Sequence, residues 1–140
     1  MKKLIYTLLA LVALLPLAGC THNNGDIGPW FGQWRIESIT INGEKDTDYK
    51  GNLFFAFQSS VLRISTTNTQ THETGSLYSN WEEVDGYMNI KINEDNEAIR
   101  YAAHMYEKEM HMKIEKRSGD KILTYTNSKG EAVTYHLIAW

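Results

Sequence analysis

Cysteine is almost missing from this chain: Cys20 is its one thiol, so no disulfide can form within a molecule and stability must come from a packed core. Proline is as scarce, with Pro16 and Pro29 the two present, so little interrupts regular structure. Apolar runs are short as well. The stretch from Leu4 to Leu15 falls well under the about 20 residues that a spanning helix needs. Nor is there an excess of positive charge: 14 Lys and Arg face 17 Asp and Glu, for a net −3, and nucleic acid is not an expected partner. What is plentiful is Tyr, Trp, Phe, Ile and Thr in alternation with polar residues, a composition that favours strands.

The first twenty residues have a layout of their own. Lys2 and Lys3 precede the apolar run, and Pro16 and small residues follow it, the three-part pattern of a removable secretory signal. Leu17-Ala18-Gly19-Cys20 resembles the lipobox of bacterial lipoproteins. That resemblance implies cleavage before Cys20, diacylglycerol on its thiol and an acyl chain such as palmitate on the freed amine. At about 0.8 kcal/mol per buried methylene, two or three chains hold a protein stably on a bilayer. Thr21 follows the cysteine, whereas the sorting rule of some Gram-negative bacteria reserves Asp there for inner-membrane retention. The expected location is therefore the cell envelope, on the outer rather than the inner membrane. The expected organisation is a signal peptide over 1–19, a lipidated Cys20 with a polar tether over 20–29, and one domain over 30–140.

Within that domain the alternation reads as a series of short strands. In Trp34–Ile41 the apolar phase moves from even to odd numbers between Ile36 and Ile39, which predicts a bulge or bend. Asn42-Gly43 and Asp85-Gly86 are hairpin signals. Strands are expected over 53–57, 61–65, 76–81 and 87–92, then around Met110-Met112-Ile114, over 122–126 and over 133–140. Turns are expected at 118–120 and 127–130. Between the halves, Ile99, Ala102, Ala103 and Tyr106 are spaced for a short helix near 96–108, with Asp95 or Asn96 as its cap. Ile99, Tyr101 and Ala103 also alternate as a strand would, and both readings stand here.

Gly32-Gln33-Trp34, placed just before the first strand, resembles the Gly-x-Trp signature of lipocalins. The wider pattern is similar to small lipocalin-like, calycin-type lipoproteins of Gram-negative anaerobes. It comprises the aromatic strand and Phe-Gln-Ser-Ser of Gly51 to Ser60, the hairpin of Trp81, Asp85 and Gly86, and the closing Tyr135, Leu137 and Trp140. The resemblance implies an all-β, up-and-down barrel of about eight strands, with Trp34 sealing one end. Two departures stand out. Thr47-Asp48-Tyr49 copies a second lipocalin motif far too early in the chain, and the last strand lacks the arginine that covers the tryptophan, offering His136 as its one polar candidate.

An eight-stranded barrel either fills itself with side chains or holds one small molecule. Trp34, Phe55, Phe57, Trp81, Met88, Met112 and Tyr125 are the candidate interior residues. They would line a site for a small apolar or amphipathic ligand. The rival reading is a filled barrel that binds another envelope protein as an adaptor or inhibitor. His104-Met105 and Met110-His111-Met112 mix thioethers with imidazoles as a Cu(I) site would, but on a strand His111 faces away from both methionines, and no metal is expected. Asn93 to Glu97 lacks the glycine and spacing of a calcium loop. Glu82, Glu83 and Asp85, and likewise Lys113, Glu115 and Arg117, read as solvated faces. No Gly-x-Ser-x-Gly or paired nucleophile and base is present, so neither catalysis nor a cofactor is expected.

Overall fold

The computed structural model describes residues 30–67, 74–116 and 119–140, with the side chain of Lys116 left aside. The leader, Cys20 and the tether over 21–29 lie outside the described residues, as do Arg117 and Ser118 of the expected charged face and turn. Gly32–Trp140 forms one compact unit. Its elements run β1 (Gly32–Ile41), β2 (Glu44–Lys45), β3 (Leu53–Gln58), β4 (Val61–Thr67), β5 (Thr74–Val84), β6 (Tyr87–Glu94), α1 (Glu97–Ala102), β7 (Glu109–Lys116), β8 (Asp120–Thr126) and β9 (Ala132–Ala139).

Every neighbouring pair is antiparallel, and β9 returns to pair with β1 from Trp34↔Ala139 to Ile41↔Val133. The sheet thus closes into a barrel of eight strands, with the two-residue β2 as a flap on β1. Among the described residues, closure leaves the barrel no long unpaired edge. The expected all-β barrel is what forms, with one short helix rather than a further strand over 96–108.

The phase slip in β1 is a bulge. Ile36 pairs with Leu137 but Ser38 with His136, so Glu37 is the extra residue, and Ile36 and Ile39 both point inward with no exposed surface. The two hairpin signals behave as read. Asn42 and Gly43 have φ of 52° and 86°, and Asp85 and Gly86 have 53° and 82°, the left-handed pairs whose twist matches the flanking strands.

The helix is shorter than its apolar spacing suggests. Asn96 caps it, its Oδ1 accepting the Ile99 N–H at 3.3 Å, and Ile99 and Ala103 turn inward as expected, but Ala102 is exposed. The helix stops at Ala102 because His104 takes a left-handed φ of 59° and the Met105 N–H turns back to the Arg100 carbonyl at 2.8 Å. Tyr106 lies beyond it. Asp95 does not cap α1. It pairs instead with the buried Arg100 through Nε–Oδ1 at 2.6 Å and Nη2–Oδ2 at 3.1 Å, and that guanidinium holds the Asp95 carboxyl below the usual carboxylate range.

Register sorts the connections to two ends. One gathers the start of β1, the β3–β4 and β5–β6 turns and the end of β9. The other gathers the β1–β2 turn, the loop over 46–52, the segment over 95–108 that carries α1, and the β8–β9 turn.

Candidate functional site

All seven candidate interior residues are inward and buried: Trp34, Phe55, Phe57, Trp81, Met88, Met112 and Tyr125. Aromatic rings run through the lumen in a chain. Trp81 meets Phe57 edge-on at 4.9 Å, Phe57 and Phe55 lie 6.2 Å apart, Phe55 and Tyr135 another 6.2 Å, and Tyr135 stacks on Tyr125 at 6.3 Å. Phe55, Met88, Met112, Leu62, Ile64, Leu77, Leu123 and Tyr135 have 0% of their surface accessible. Accessible surface includes the walls of internal voids, so these residues have no room beside them even for a water. The lumen around them is packed solid.

At the end where β1 starts, the Trp34 ring is met by a residue that sequence reasoning missed. Lys121 of β8 turns inward, 7% exposed, and its Nζ sits 5.2 Å from the centre of the Trp34 ring. A cation over an indole face is worth about 0.5–2 kcal/mol. His136, the candidate for this place, instead faces outward between Asp120, at 3.0 Å from Nε2, and Glu37, at 3.6 Å from Nδ1. The reason is parity: on β9 the inward residues are Val133, Tyr135 and Leu137, so His136 has to point out. Outside the same end, Arg35 lies 5.2 Å over the Trp140 ring, and Trp140 packs on Phe54 at 5.7 Å.

The opposite end is covered by the segment over 95–108, and polar bonds fasten this cap. The Tyr135 hydroxyl donates to the Ala103 carbonyl, and the Tyr125 hydroxyl at 3.2 Å and Asn127 Nδ2 at 3.0 Å both donate to the His104 carbonyl. Burial pushes both phenols well above the usual phenol range, so they remain donors. His104 Nε2 meets Asp46 Oδ2 at 2.8 Å, joining the cap to the loop over 46–52 and holding the Asp46 carboxyl below its ordinary value. Tyr49, part of the misplaced lipocalin motif, has its own task in that loop. Its hydroxyl donates to the Ile36 carbonyl and accepts the Leu53 N–H at 3.1 Å, bridging β1 to β3 where the strands diverge.

The mixed thioether and imidazole residues do not converge. Met105, Met110 and Met112 are buried, His104 is committed to Asp46, and His111 lies on the outer face, stacked on Tyr87 with centroids 4.3 Å apart. Among the described residues no group of three or more His, Cys, Asp or Glu is placed to hold a metal.

The outer face of β5, β6 and β7 carries a hollow of about 580 Å³. Its walls are two ladders of outward side chains, Asn80, Lys91 and Glu109 in one and Glu82, Asn89 and His111 in the other. Its floor is the intervening row of Trp81, Ile90 and Met110, whose side chains point into the barrel. Asn89 links its ladder, donating from Nδ2 to Glu82 at 3.3 Å and accepting on Oδ1 from His111 Nδ1 at 2.5 Å. Lys91 and Glu109 are 3.9 Å apart. A second hollow of about 400 Å³ adjoins the first through Asn80 and is bounded by Val61, Tyr78, Asn93 and Glu94. Sequence alternation marked these positions as outward but gave no sign that they enclose a hollow.

These features define a small antiparallel barrel of the lipocalin-like class. No family model and no curated protein matches the sequence. In structure the chain is similar to a lipocalin-like protein from Bacteroides uniformis, with a TM-score of 0.63 and 13% identity over 79% of this chain and 97% of that one. It is also similar to an uncharacterised protein from Bacteroides eggerthii, with a TM-score of 0.58 and 18% identity over 79% of this chain and 99% of that one. At these identities the likeness establishes the fold. Among the described residues no helix is long and apolar enough to cross a membrane.

Proposed function

We propose that this is a lipid-anchored, non-catalytic binding protein of the cell envelope, most simply of the outer membrane, whose barrel is a solid scaffold with its recognition surface outside. The observation that carries the reading is the lumen: Phe55, Met88, Met112 and their neighbours have no accessible surface, so a guest molecule there would have to displace them. Such a scaffold serves an adaptor or inhibitor of another envelope component. The attachment rests on Leu17-Ala18-Gly19-Cys20. Changing Cys20 to Ser is expected to move the protein from the membrane to the soluble fraction, and retention of C20S on the membrane refutes the anchor.

A second reading has its own support. The cap over 95–108 closes an apolar lumen through a few polar bonds from Tyr125, Tyr135, Asn127 and Asp46, which is how a door is held shut. In that reading the cap lifts and a small apolar or amphipathic molecule replaces part of the packing among Trp34, Phe55, Phe57, Trp81, Met88, Met112 and Tyr125. Native mass spectrometry of protein extracted from its own membrane separates the two. The solid scaffold predicts the mass of the acylated chain alone, and a retained lipid-sized molecule establishes the carrier instead.

A further inference from the structure

We propose that the end of the barrel where β1 starts rests on the lipid surface along the outer side of β1, β3 and β4, with Trp140 in the headgroup layer and Arg35 and Arg63 on lipid phosphates. The inference deepens the reading of a lipid-anchored protein and rests on it.

The distribution of charge marks this side. In a chain with 17 Asp and Glu, none lies between Asp48 and Glu73. That gap spans β3 and β4, whose outward positions include Phe54, Ala56, Val61 and the exposed Arg63. To them β1 adds Arg35, which pairs with Phe54 on one side and Ile138 on the other. Acids return past Ile138 at Asp120, which with Glu37 flanks His136 at 3.0 and 3.6 Å. On the other side they return past Tyr78 of β5, at Glu94. The β5–β6 hairpin, at the same end of the barrel, carries Glu82, Glu83 and Asp85. An anionic lipid surface therefore attracts one side of this end and repels the other, so the barrel settles onto β3 and β4 rather than squarely on its end.

An aromatic anchor stands on the same side. Trp140 is 69% exposed although its backbone is fixed, its N–H donating to the Gln33 carbonyl at 3.0 Å. Its ring lies 5.7 Å from Phe54 and 5.2 Å below the Arg35 guanidinium. The Nε of Arg35 has no hydrogen-bond partner among the described residues, so an indole face rather than a carboxylate holds this side of the cation. An exposed indole beside guanidinium groups suits the layer in which Trp collects, where phosphate oxygens lie next to the first methylenes.

The tether singles out lipid as the occupant. Residues 21–31 join Cys20 to Gly32, the first residue of β1. At full stretch that is about 40 Å, roughly the width of a domain of this size. The start of β1 is thereby kept beside the bilayer at an effective concentration of about millimolar, enough to populate a contact too weak to hold a free protein. No protein partner has that standing proximity.

The test uses the full acylated chain reconstituted into phosphatidylcholine vesicles with about one quarter phosphatidylglycerol. Brominated acyl chains serve as the quencher inside the bilayer and acrylamide as the one in water. Trp140 emission is read as the difference between the parent and Trp140→Phe. Brominated lipid is expected to quench it at least about twofold, as for an indole in the headgroup layer. Arg63→Gln is expected to lower the ratio of docked to undocked chains about fivefold, with the unfolding temperature unchanged. Lys45→Gln, the same loss of charge at the opposite end, should leave that ratio as it is. Trp140 unquenched in a chain that floats with the vesicles overturns the proposal and leaves the anchor standing. Protection from acrylamide without quenching by brominated lipid overturns it as well, and means that a second copy of the chain covers this side. So does an R63Q chain that docks as the parent does. A chain that fails to float removes the anchor, and this proposal with it.

Discussion

The cap over the barrel mouth makes its sharpest prediction at Tyr135. The side chain has no accessible surface, its ring lies 6.3 Å from Tyr125 and 6.2 Å from Phe55, and its hydroxyl donates to the carbonyl of Ala103, itself wholly buried. Tyr135→Phe keeps the ring and removes only the donor. A typical buried hydrogen bond contributes about 1 kcal/mol net, and stranding its partner in an apolar place costs about 1–3 kcal/mol, so the expected loss is about 2 kcal/mol. For a domain of this size that lowers the unfolding temperature by about 6–12 °C. Urea unfolding should show a lower midpoint at unchanged m-value, because the area exposed on unfolding is the same. Amide exchange distinguishes a local effect from a general one: protection at residues 97–105 should fall by more than the loss in global stability requires. If Y135F unfolds within about 0.5 kcal/mol of the parent, with cap amides equally protected, the account of the mouth as closed by phenol donors is wrong.

Three further expectations follow from the same geometry. Tyr125 and Tyr135 have their folded pKa raised above the ordinary 10.0, so the stability from keeping them neutral is complete below that pH and is lost as pH rises past it. Phenol absorbance should show these two ionising only as the chain unfolds, and their ionisation in the folded state refutes their burial. Asp46 is the opposite case. Its pKa is lowered by the His104 hydrogen bond, so the stability it contributes is present above about 3.8 and disappears as pH falls through the depressed folded value. Asp46→Asn should cost about 1–2 kcal/mol at neutral pH, with the gap to the parent closing in that acid window, and a gap independent of pH argues against the latch. Phe57→Ala removes a buried ring that contacts both Trp81 and Phe55, and should cost about 3–5 kcal/mol by urea unfolding. A loss under about 1 kcal/mol would mean that the lumen is looser than described.

The amino-acid sequence by itself determined the strands and most of their facing. Inward and outward positions alternate every residue, so Met88, Ile90 and Ile92, or Met110 and Met112, declare a buried face wherever the strand ends up. Even the β1 bulge was legible, because an extra residue changes the parity of everything after it, and Ile36 and Ile39 record that change. The two hairpin turns were equally plain, since Asn-Gly and Asp-Gly tolerate the left-handed backbone that such turns require.

Tertiary structure decided the rest, chiefly where strands distant in the chain meet. Lys121 reads as one more surface lysine until β8 closes beside β1 and places it over Trp34. Arg100 reads as the polar face of a helix until the chain folds back and buries it against Asp95 and the Met105 carbonyl. Asp46 and His104 are 58 residues apart and have no local signature as partners. Above all, whether inward side chains fill a barrel or leave a hollow depends on how all eight strands fit together in three dimensions. Alternation gives a side chain its direction, but only closure of the sheet fixes the space in which it has to fit.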